Sequence, residues 1–337
     1  MISRYDEEEE AFHAKEERVR RKGAPRKKEP RDLSHLSRGR IVAISGEGVL
    51  VEREGEQRLC SLKGTLRATE KAAVGDWVRF SEENNIEQIE ERTSHFSRTD
   101  ISGHKEQVMA ANIDQVVLIV SVGAPPLKPA LVDRYLIAAE KGGATPLLVV
   151  NKIDLLETLS EEAQEEYHQF ALVYRELGFS LLAASAQTGE GLEELRLATR
   201  DRISLFAGQS GVGKTSLLNA AFQMQRPVGV LAEKTAKGAH TTTRAELFPI
   251  PAGGYCIDAP GVRSFSVWDL KRGDLVRHFH EFAEFSAQCR YSNCSHVDEP
   301  GCAVLQALEE GAPLFRYPSY CSLLQEIAAG PGGKTWD

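Results

Sequence analysis

The sequence predicts a multidomain chain with an N-terminal β-barrel of the OB type, a central α/β domain built around a phosphate loop, and a C-terminal, mostly helical, zinc-binding domain. Three observations carry that prediction. Short β-branched runs cluster between residues 40 and 92, strands and helices alternate from Gln115 onward around a Gly-rich loop at 208–215, and three cysteines and a histidine crowd into residues 289–302. The implied boundaries are a basic arm over 1–37, a barrel over 38–95, the α/β domain over 96–268 and the zinc-binding domain over 269–337.

Composition sets the outer bounds. A length of 337 residues suggests two or three compact units, and 42% apolar with 27% charged residues is ordinary for a globular protein. No run reaches the apolar length that spans a bilayer, and the acidic residues Asp6 to Glu10 stand where an export signal would be apolar. A cytoplasmic protein with no membrane partner is expected, its six cysteines reduced or metal-bound. The net charge of −8 argues against wholesale nucleic-acid coating, yet residues 15–40 hold eleven Lys or Arg against four acids. With Pro25 and Pro30 and few apolar residues, that stretch reads equally well as an arm for phosphates or as a solvated tail.

The barrel rests on Ile41–Ile44, Val49–Glu52, Arg58–Leu62 and Asp76–Phe80, punctuated by Gly46, Gly48, Gly55 and Gly75. About five strands in some sixty residues fit a small closed barrel, a shape that binds nucleic acid or docks protein. The α/β domain opens on Gln115–Val120, a continuous apolar run suited to a strand covered on both faces. A helix with Leu131, Tyr135, Ala138 and Ala139 on one side follows and stops at Gly142-Gly143. Next come a strand at Pro146–Val150 and a helix faced by Tyr167, Phe170, Ala171, Tyr174 and Leu177.

Residues 208–215 read Gly208, Gln209, Ser210, Gly211, Val212, Gly213, Lys214 and Thr215, after an apolar strand and before a helical run from Ser216. This is the strand–loop–helix setting of a phosphate loop, in which glycines let backbone N–H groups approach an anion and the helix N-terminus favours it. Lys214 is expected on the β- and γ-phosphates, and Thr215 on Mg²⁺. Asn151, Lys152, Ile153 and Asp154 follow a buried strand directly. The Asp154 carboxylate suits the N1–H and N2–H donors of guanine, which adenine lacks there, with Asn151 bracing the loop. Ser185 and Ala186, after another apolar run, suit guanine O6 through backbone N–H groups. Asp258-Ala259-Pro260-Gly261 closes the set, with Asp258 on Mg²⁺ through water and the Gly261 N–H toward the γ-phosphate. One of Thr241, Thr242 and Thr243 is expected to complete the Mg²⁺ shell. Together these motifs predict GTP or GDP as the ligand and disfavour an ATPase or kinase.

Their order is circularly permuted: the guanine motif at Asn151 precedes the phosphate loop at Gly208, and the Asp258 loop runs straight into the C-terminal region. There, Cys289, Cys294, His296 and Cys302 form Cys-x4-Cys-x-His-x5-Cys in a turn-rich segment. That donor set suits a closed, structural Zn²⁺ site. His278 and His280 precede it and are not expected to be ligands. Cys60, Cys256 and Cys321 read as core.

With these residues in place the chain resembles the RsgA (YjeQ) family of circularly permuted GTPases over about residues 38–330. The resemblance includes Ala111–Gln115, Asn151–Asp154, Ser185-Ala186, the phosphate loop, Gly238–Thr243, Asp258–Gly261 and the cysteine spacing. It implies a hydrolase stimulated by the small ribosomal subunit and acting late in that subunit's maturation, whose barrel and zinc domain contact rRNA. The chain departs from the family at Ala239, where Arg is usual, and at Ala259, where Thr is usual. Val262 stands where many GTPases place a water-orienting Gln. Slow intrinsic hydrolysis is therefore expected, with His240 as candidate to orient water. A monomer is expected. The rival readings are a GTP-controlled RNA-binding clamp with negligible hydrolysis and an assembly GTPase for the large subunit.

Overall fold

Five strands close on themselves ahead of the α/β sheet: β1 (Ser37–Ile44), β2 (Val49–Arg53), β3 (Glu56–Leu62), β4 (Trp77–Phe80) and β5 (Asn85–Ile89) form a barrel in the order β1-β2-β3-β5-β4. In this computed structural model the described residues are 35–62, 71–100, 103–225, 245–251, 253–259 and 265–330, and the elements named here fall in one compact unit, Ser37–Asp337. Alternation decides the barrel's inside: Ile41, Val49, Val51, Val78, Phe80 and Ile86 are at most 2% exposed. The fifth strand, too polar to stand out in the sequence, closes the barrel by pairing antiparallel with β4 and parallel with β3. The basic arm, through residue 34, lies outside the described residues.

A hairpin follows that the sequence did not announce, β6 (His95–Thr99) and β7 (Glu106–Ala111). Its alternation is weak, and it is held from below: Phe96, fully buried, stacks on Tyr135 and Phe265.

The central sheet has six strands in the order β10-β9-β8-β11-β13-β12. They are β8 (Gln115–Ser121), β9 (Thr145–Asn151), β10 (Ser180–Ala183), β11 (Ile203–Gly208), β12 (Leu247–Pro249) and β13 (Tyr255–Asp258); all neighbours pair parallel except β12 with β13. The predicted strands are found where expected, and their unbroken apolarity has the expected cause. Val116, Leu118, Leu148 and Val150 face one core while Val117, Ile119, Leu147 and Val149 face another. Helices α1 (Pro129–Lys141) and α2 (Glu161–Glu176) cover the first face; α3 (Leu192–Thr199) and α4 (Lys214–Phe222) cover the second. Each fully buried Val or Leu contributes about 1.5–3 kcal/mol.

The chain goes from β8 outward to β9 and β10, then returns to β11 beside β8 before building β13 and β12. Strand order thus reverses between β8 and β11. The crevice at the carboxyl ends of such a pair is where open α/β sheets bind ligands.

The C-terminal region is made of short helices, α5 (Arg272–Leu275), α6 (Ala283–Ser286), α7 (Ala303–Glu309) and α8 (Tyr317–Ala329), with two 3-10 turns between α5 and α6. Leu275, Phe279, Phe282, Val304, Tyr320 and Leu323 form its core. It docks on α1 through polar groups: Arg316 to Asp133, Arg134 to Glu326, and His278 to Glu140. No helix among the described residues is long and apolar enough to cross a membrane.

Candidate nucleotide site and metal centre

Because β9, β10, β11 and β13 run parallel, the segments after them emerge at one edge of the sheet. Asn151 ends β9, Ser185 and Ala186 follow β10, Gly208 ends β11 and Asp258 ends β13. Fold topology thus gathers residues as far apart in the chain as Asn151 and Asp258.

Asn151 is the brace expected of it, and it braces two loops at once. Its Nδ2 donates to the Val212 carbonyl at 2.8 Å, and its Oδ1 accepts from the Ala186 N–H at 3.3 Å; the side chain is 1% exposed. The contact explains Gly213. That residue sits at φ 85°, and a Cβ there would lie 2.5 Å from Asn151 Nδ2. Lys152, itself left-handed at φ 62°, lays its ammonium on the Gly211 carbonyl at 2.7 Å and also on the Ala124 carbonyl. The base-reading motif and the phosphate loop are therefore one hydrogen-bonded body. No sequence signal marks Lys152 for these bonds, and none marks Ala124.

Asp154 accepts from the buried Ser185 hydroxyl, whose oxygen in turn accepts from the Gln187 and Thr188 N–H groups at 3.1 and 3.0 Å. This positions a carboxylate beside the crevice with its second oxygen available to a ligand's donors. The Ser185–Thr188 N–H groups are engaged within the protein here, the Ala186 N–H by Asn151.

On the phosphate side, α4 begins at Lys214, so Gln209–Gly213 form the loop, with Ser210 and Gly211 exposed and Thr215 and Ser216 half-buried in the first helical turn. Lys214 Nζ is bonded to Asp258 Oδ1, both side chains being mostly shielded from water. The two groups expected on phosphate and on Mg²⁺ thus neutralise each other across the mouth of the crevice. Thr215, next in the chain to Lys214, and Asp258, bonded to Lys214, are the nearby side chains that could ligate a phosphate-bound Mg²⁺. His240, Thr241–Thr243, Gly261, Ala239 and Val262 lie outside the described residues.

The second predicted cluster is assembled in the C-terminal region. The ligand atoms of Cys289, Cys294, His296 and Cys302 all lie within 4.8 Å of one another. His296 Nδ1 is 3.5 Å from both Cys289 Sγ and Cys302 Sγ, and those sulfurs are 3.9 Å apart. Tetrahedral zinc bonds imply about 3.5 Å for such a nitrogen–sulfur edge and about 3.8 Å for a sulfur–sulfur edge. Burial pushes the Cys294 thiol up to about 12 and holds the His296 imidazole below its ordinary value. A bound divalent cation offsets the first and takes the neutral imidazole the second provides. The residues therefore fit zinc, and His278 and His280 stand apart from the cluster, as expected. Cys60 and Cys256 are buried core, whereas Cys321 is half-buried against the C-terminal core.

Two supporting residues went unread in the sequence. Ser286 faces the other nitrogen of His296 at 3.4 Å, fixing which ring nitrogen points inward. Glu299 accepts from the Ser295 N–H at 2.7 Å, the Ser295 hydroxyl and the Val297 and Asp298 N–H groups, folding the segment between the last two ligands. A carboxylate in a turn-rich segment between ligands was the available signal.

A family model described as RsgA GTPase matches residues 89–268. The small ribosomal subunit biogenesis GTPase RsgA of Chlorobaculum tepidum is 41% identical over 310 residues, covering 86% of this chain and 98% of that protein. RsgA 1 of Vibrio parahaemolyticus is 36% identical over 318 residues, covering 90% and 88%. Among solved structures, YjeQ from Thermotoga maritima superposes with a TM-score of 0.67 at 34% identity, covering 87% of this chain and 99% of that one. YloQ, a circularly permuted GTPase, gives 0.63 at 27% identity, covering 89% and 98%.

Proposed function

The chain belongs to the RsgA GTPase family, and on that premise we propose that it binds the small ribosomal subunit and hydrolyses GTP to GDP and phosphate during that subunit's biogenesis. One observation carries the reading: Asn151 ties the phosphate loop and the Ser185 loop into a single pre-formed pocket at the strand-order reversal of the sheet. A ribosomal partner places this work in the cytoplasm.

In this reading the Asp154 carboxylate accepts from guanine N1 and N2, and the Gly208–Ser216 segment wraps the phosphates with backbone N–H groups. Lys214, bonded to Asp258 here, exchanges that bond for the β- and γ-phosphate oxygens, and Asp258, Thr215 and one of Thr241–Thr243 are the residues that would hold Mg²⁺. When bound there, Mg²⁺ would supply positive charge against the phosphate oxygens. The Gly261 N–H senses the γ-phosphate. Val262 has no group to orient water, so His240 is given that role in the ribosome-stimulated reaction. Zinc held by Cys289, Cys294, His296 and Cys302 would be structural, since four protein donors would leave no open position. The zinc domain and the barrel are the surfaces offered to rRNA. Tyr291 and Val297 project from the cluster loop and are exposed, and on the barrel Arg38 lies 4.0 Å over the Trp77 ring.

The test is GTP turnover by the purified protein alone, with small subunits and with large subunits. Stimulation by small subunits only is expected. Stimulation by large subunits instead would overturn the choice of partner, and tight guanine-nucleotide binding without stimulated turnover would make the protein a clamp. His240→Ala is expected to spare GTP binding and lose the stimulated rate.

A further inference from the structure

The first barrel strand serves two cores. On β1, Ile41 is fully buried among the barrel's own apolar residues, while its neighbour Val42, 2% exposed, joins the core of the central domain with Leu247, Ile257 and Ala259. A bulge allows this. Ile41 faces Val51 on β2 and Ala43 faces Leu50, so Val42 is the extra residue. Past the bulge, Ala43 also pairs with Glu246, the residue just before β12. The central sheet therefore continues across its β12 edge into the barrel.

Glu246 stands at a junction. Its carbonyl accepts from the Asp258 N–H at 3.4 Å. β12 is three residues long and ends the strand order of the sheet. So short an edge strand makes few contacts of its own, and its place depends on what covers it. β1 covers it, and β1 is itself tied to the central domain. Arg40, 9% exposed, donates from Nη2 to the Asn112 carbonyl at 2.8 Å and from Nε to the Gly75 carbonyl at 3.3 Å. Its guanidinium lies 6.0 Å from the ring centroid of Tyr255, the first residue of β13.

Asp258 is thus held from two sides of unequal strength. On one side it stands in register with Phe206 of β11, and the Ala259 N–H donates to the Phe206 carbonyl at 3.0 Å. Phe206 is itself fully buried. On the other side is the Glu246 contact, which is longer and rests on the barrel. Bonds of this type cluster near 2.9–3.0 Å, so the barrel side is the one able to yield.

We propose that β1 is a positioning strand for Asp258: Val42 and the Ala43–Glu246 pairing hold the Glu246 carbonyl against the Asp258 N–H, and so set how tightly the Asp258 carboxylate can meet the Mg²⁺ that accompanies the nucleotide. The inference rests on the reading of Asp258 as a Mg²⁺-facing group. Groups that orient a metal-facing side chain change metal affinity by about 10–100-fold.

The experiment compares the full-length protein with Val42→Ala, and with Val42→Ala carrying Ala43→Cys and Glu246→Cys. Directly paired residues of an antiparallel ladder lie about 4.5–5.5 Å apart at Cα, within reach of a disulfide that can be closed or opened in one protein. Hydrogen exchange over 253–259 is measured by mass spectrometry, and GDP affinity is measured in Mg²⁺ and in EDTA. Val42→Ala is expected to speed that exchange and to lose about tenfold of the GDP affinity that Mg²⁺ adds, with affinity in EDTA unchanged. Closing the disulfide should restore both, and opening it should lose both again. The parent taken through the same oxidation, with its zinc content measured, controls for Cys289, Cys294 and Cys302. Faster exchange confined to the barrel would overturn the proposal, as would an unchanged Mg²⁺ increment beside faster exchange over 253–259. A closed form as weak in Mg²⁺ as the open one would overturn it too. Closed and open forms share one sequence, so a general loss of stability from Val42→Ala does not imitate the expected result. A parent whose GDP affinity is the same in Mg²⁺ and in EDTA would remove the reading of Asp258, and this inference with it.

Discussion

Arg316 donates from Nε to Asp133 Oδ1 at 2.7 Å, joining α1 to the metal-binding region with both side chains at most 2% exposed. The same carboxylate oxygen accepts from the Tyr174 hydroxyl at 2.8 Å, while Arg316 also reaches Glu281 at 3.2 Å and the His278 carbonyl at 3.2 Å. The guanidinium lies 4.5 Å from the Phe279 ring centroid. Burial by itself would ease the proton off Arg316, but Asp133 and Glu281 hold it on and raise its affinity overall. Arg316 thus keeps its charge out of water, held beside the Asp133 carboxyl group. Breaking the pair from one side strands a charge, which costs about 3–5 kcal/mol. Asp133→Ala should therefore lower stability by that order in chemical denaturation. Adding Arg316→Met to Asp133→Ala should recover part of the loss, because the stranded guanidinium is then gone. A double variant as unstable as the sum of the two singles would show that no stranded charge is involved.

Asp154 should set base choice. Asp154→Asn replaces the acceptor of guanine N1–H and N2–H with an amide that can donate, and the Ser185 hydroxyl still has an oxygen to bond. Affinity for GTP should fall about 100-fold or more, in the range seen when a buried hydrogen-bonding site meets the wrong partner. Xanthosine triphosphate, which carries an oxygen in place of N2, should gain. Competition of the two nucleotides for the same protein checks both halves of this expectation.

The metal cluster should govern only its own region. Cys289→Ser, or a strong chelator under mild denaturant, should remove bound zinc measured by elemental analysis. Hydrogen exchange should then speed up in α7 and α8, which are built around Cys302 and the Tyr320 hydroxyl bond to the Ser295 carbonyl at 2.9 Å. Protection in β8, β9 and β11, and GTP binding, should persist, since their cores are separate clusters.

Glu299 should make that region acid-sensitive. Burial pushes its carboxyl up, but the Ser295 hydroxyl and the N–H groups of Ser295 and Val297 more than offset this and hold it at about 2, below its ordinary 4.5. A depressed carboxyl contributes stability that is present above the unfolded value and fades as pH falls toward the folded one. The window is therefore about pH 5 down to 2. With the side chain 22% exposed, the contribution is on the order of 2 kcal/mol. Glu299→Gln should flatten this part of the stability–pH curve in acid titration and change little near neutrality beyond a uniform offset.

The sequence by itself determined the chemistry. Gly208–Thr215 and Asn151–Asp154 mark a GTPase, and Cys289–Cys302 a cluster that fits zinc, because such chemistry needs particular groups at short spacing along the chain. It also determined the buried strands, since Val and Leu on consecutive positions at β8 and β9 admit only a sheet covered on both faces. Tertiary structure decided everything that depends on which distant segments meet. The two-loop brace of Asn151, the Lys152 bonds to Gly211 and Ala124 and the Arg316–Asp133 pair all join residues many positions apart. A polar side chain advertises that it needs a partner, but not where in the chain the partner lies. The weakly alternating hairpin is the clearest case: what makes it a strand pair is Phe96 buried against Tyr135 and Phe265, rings that its own sequence does not contain.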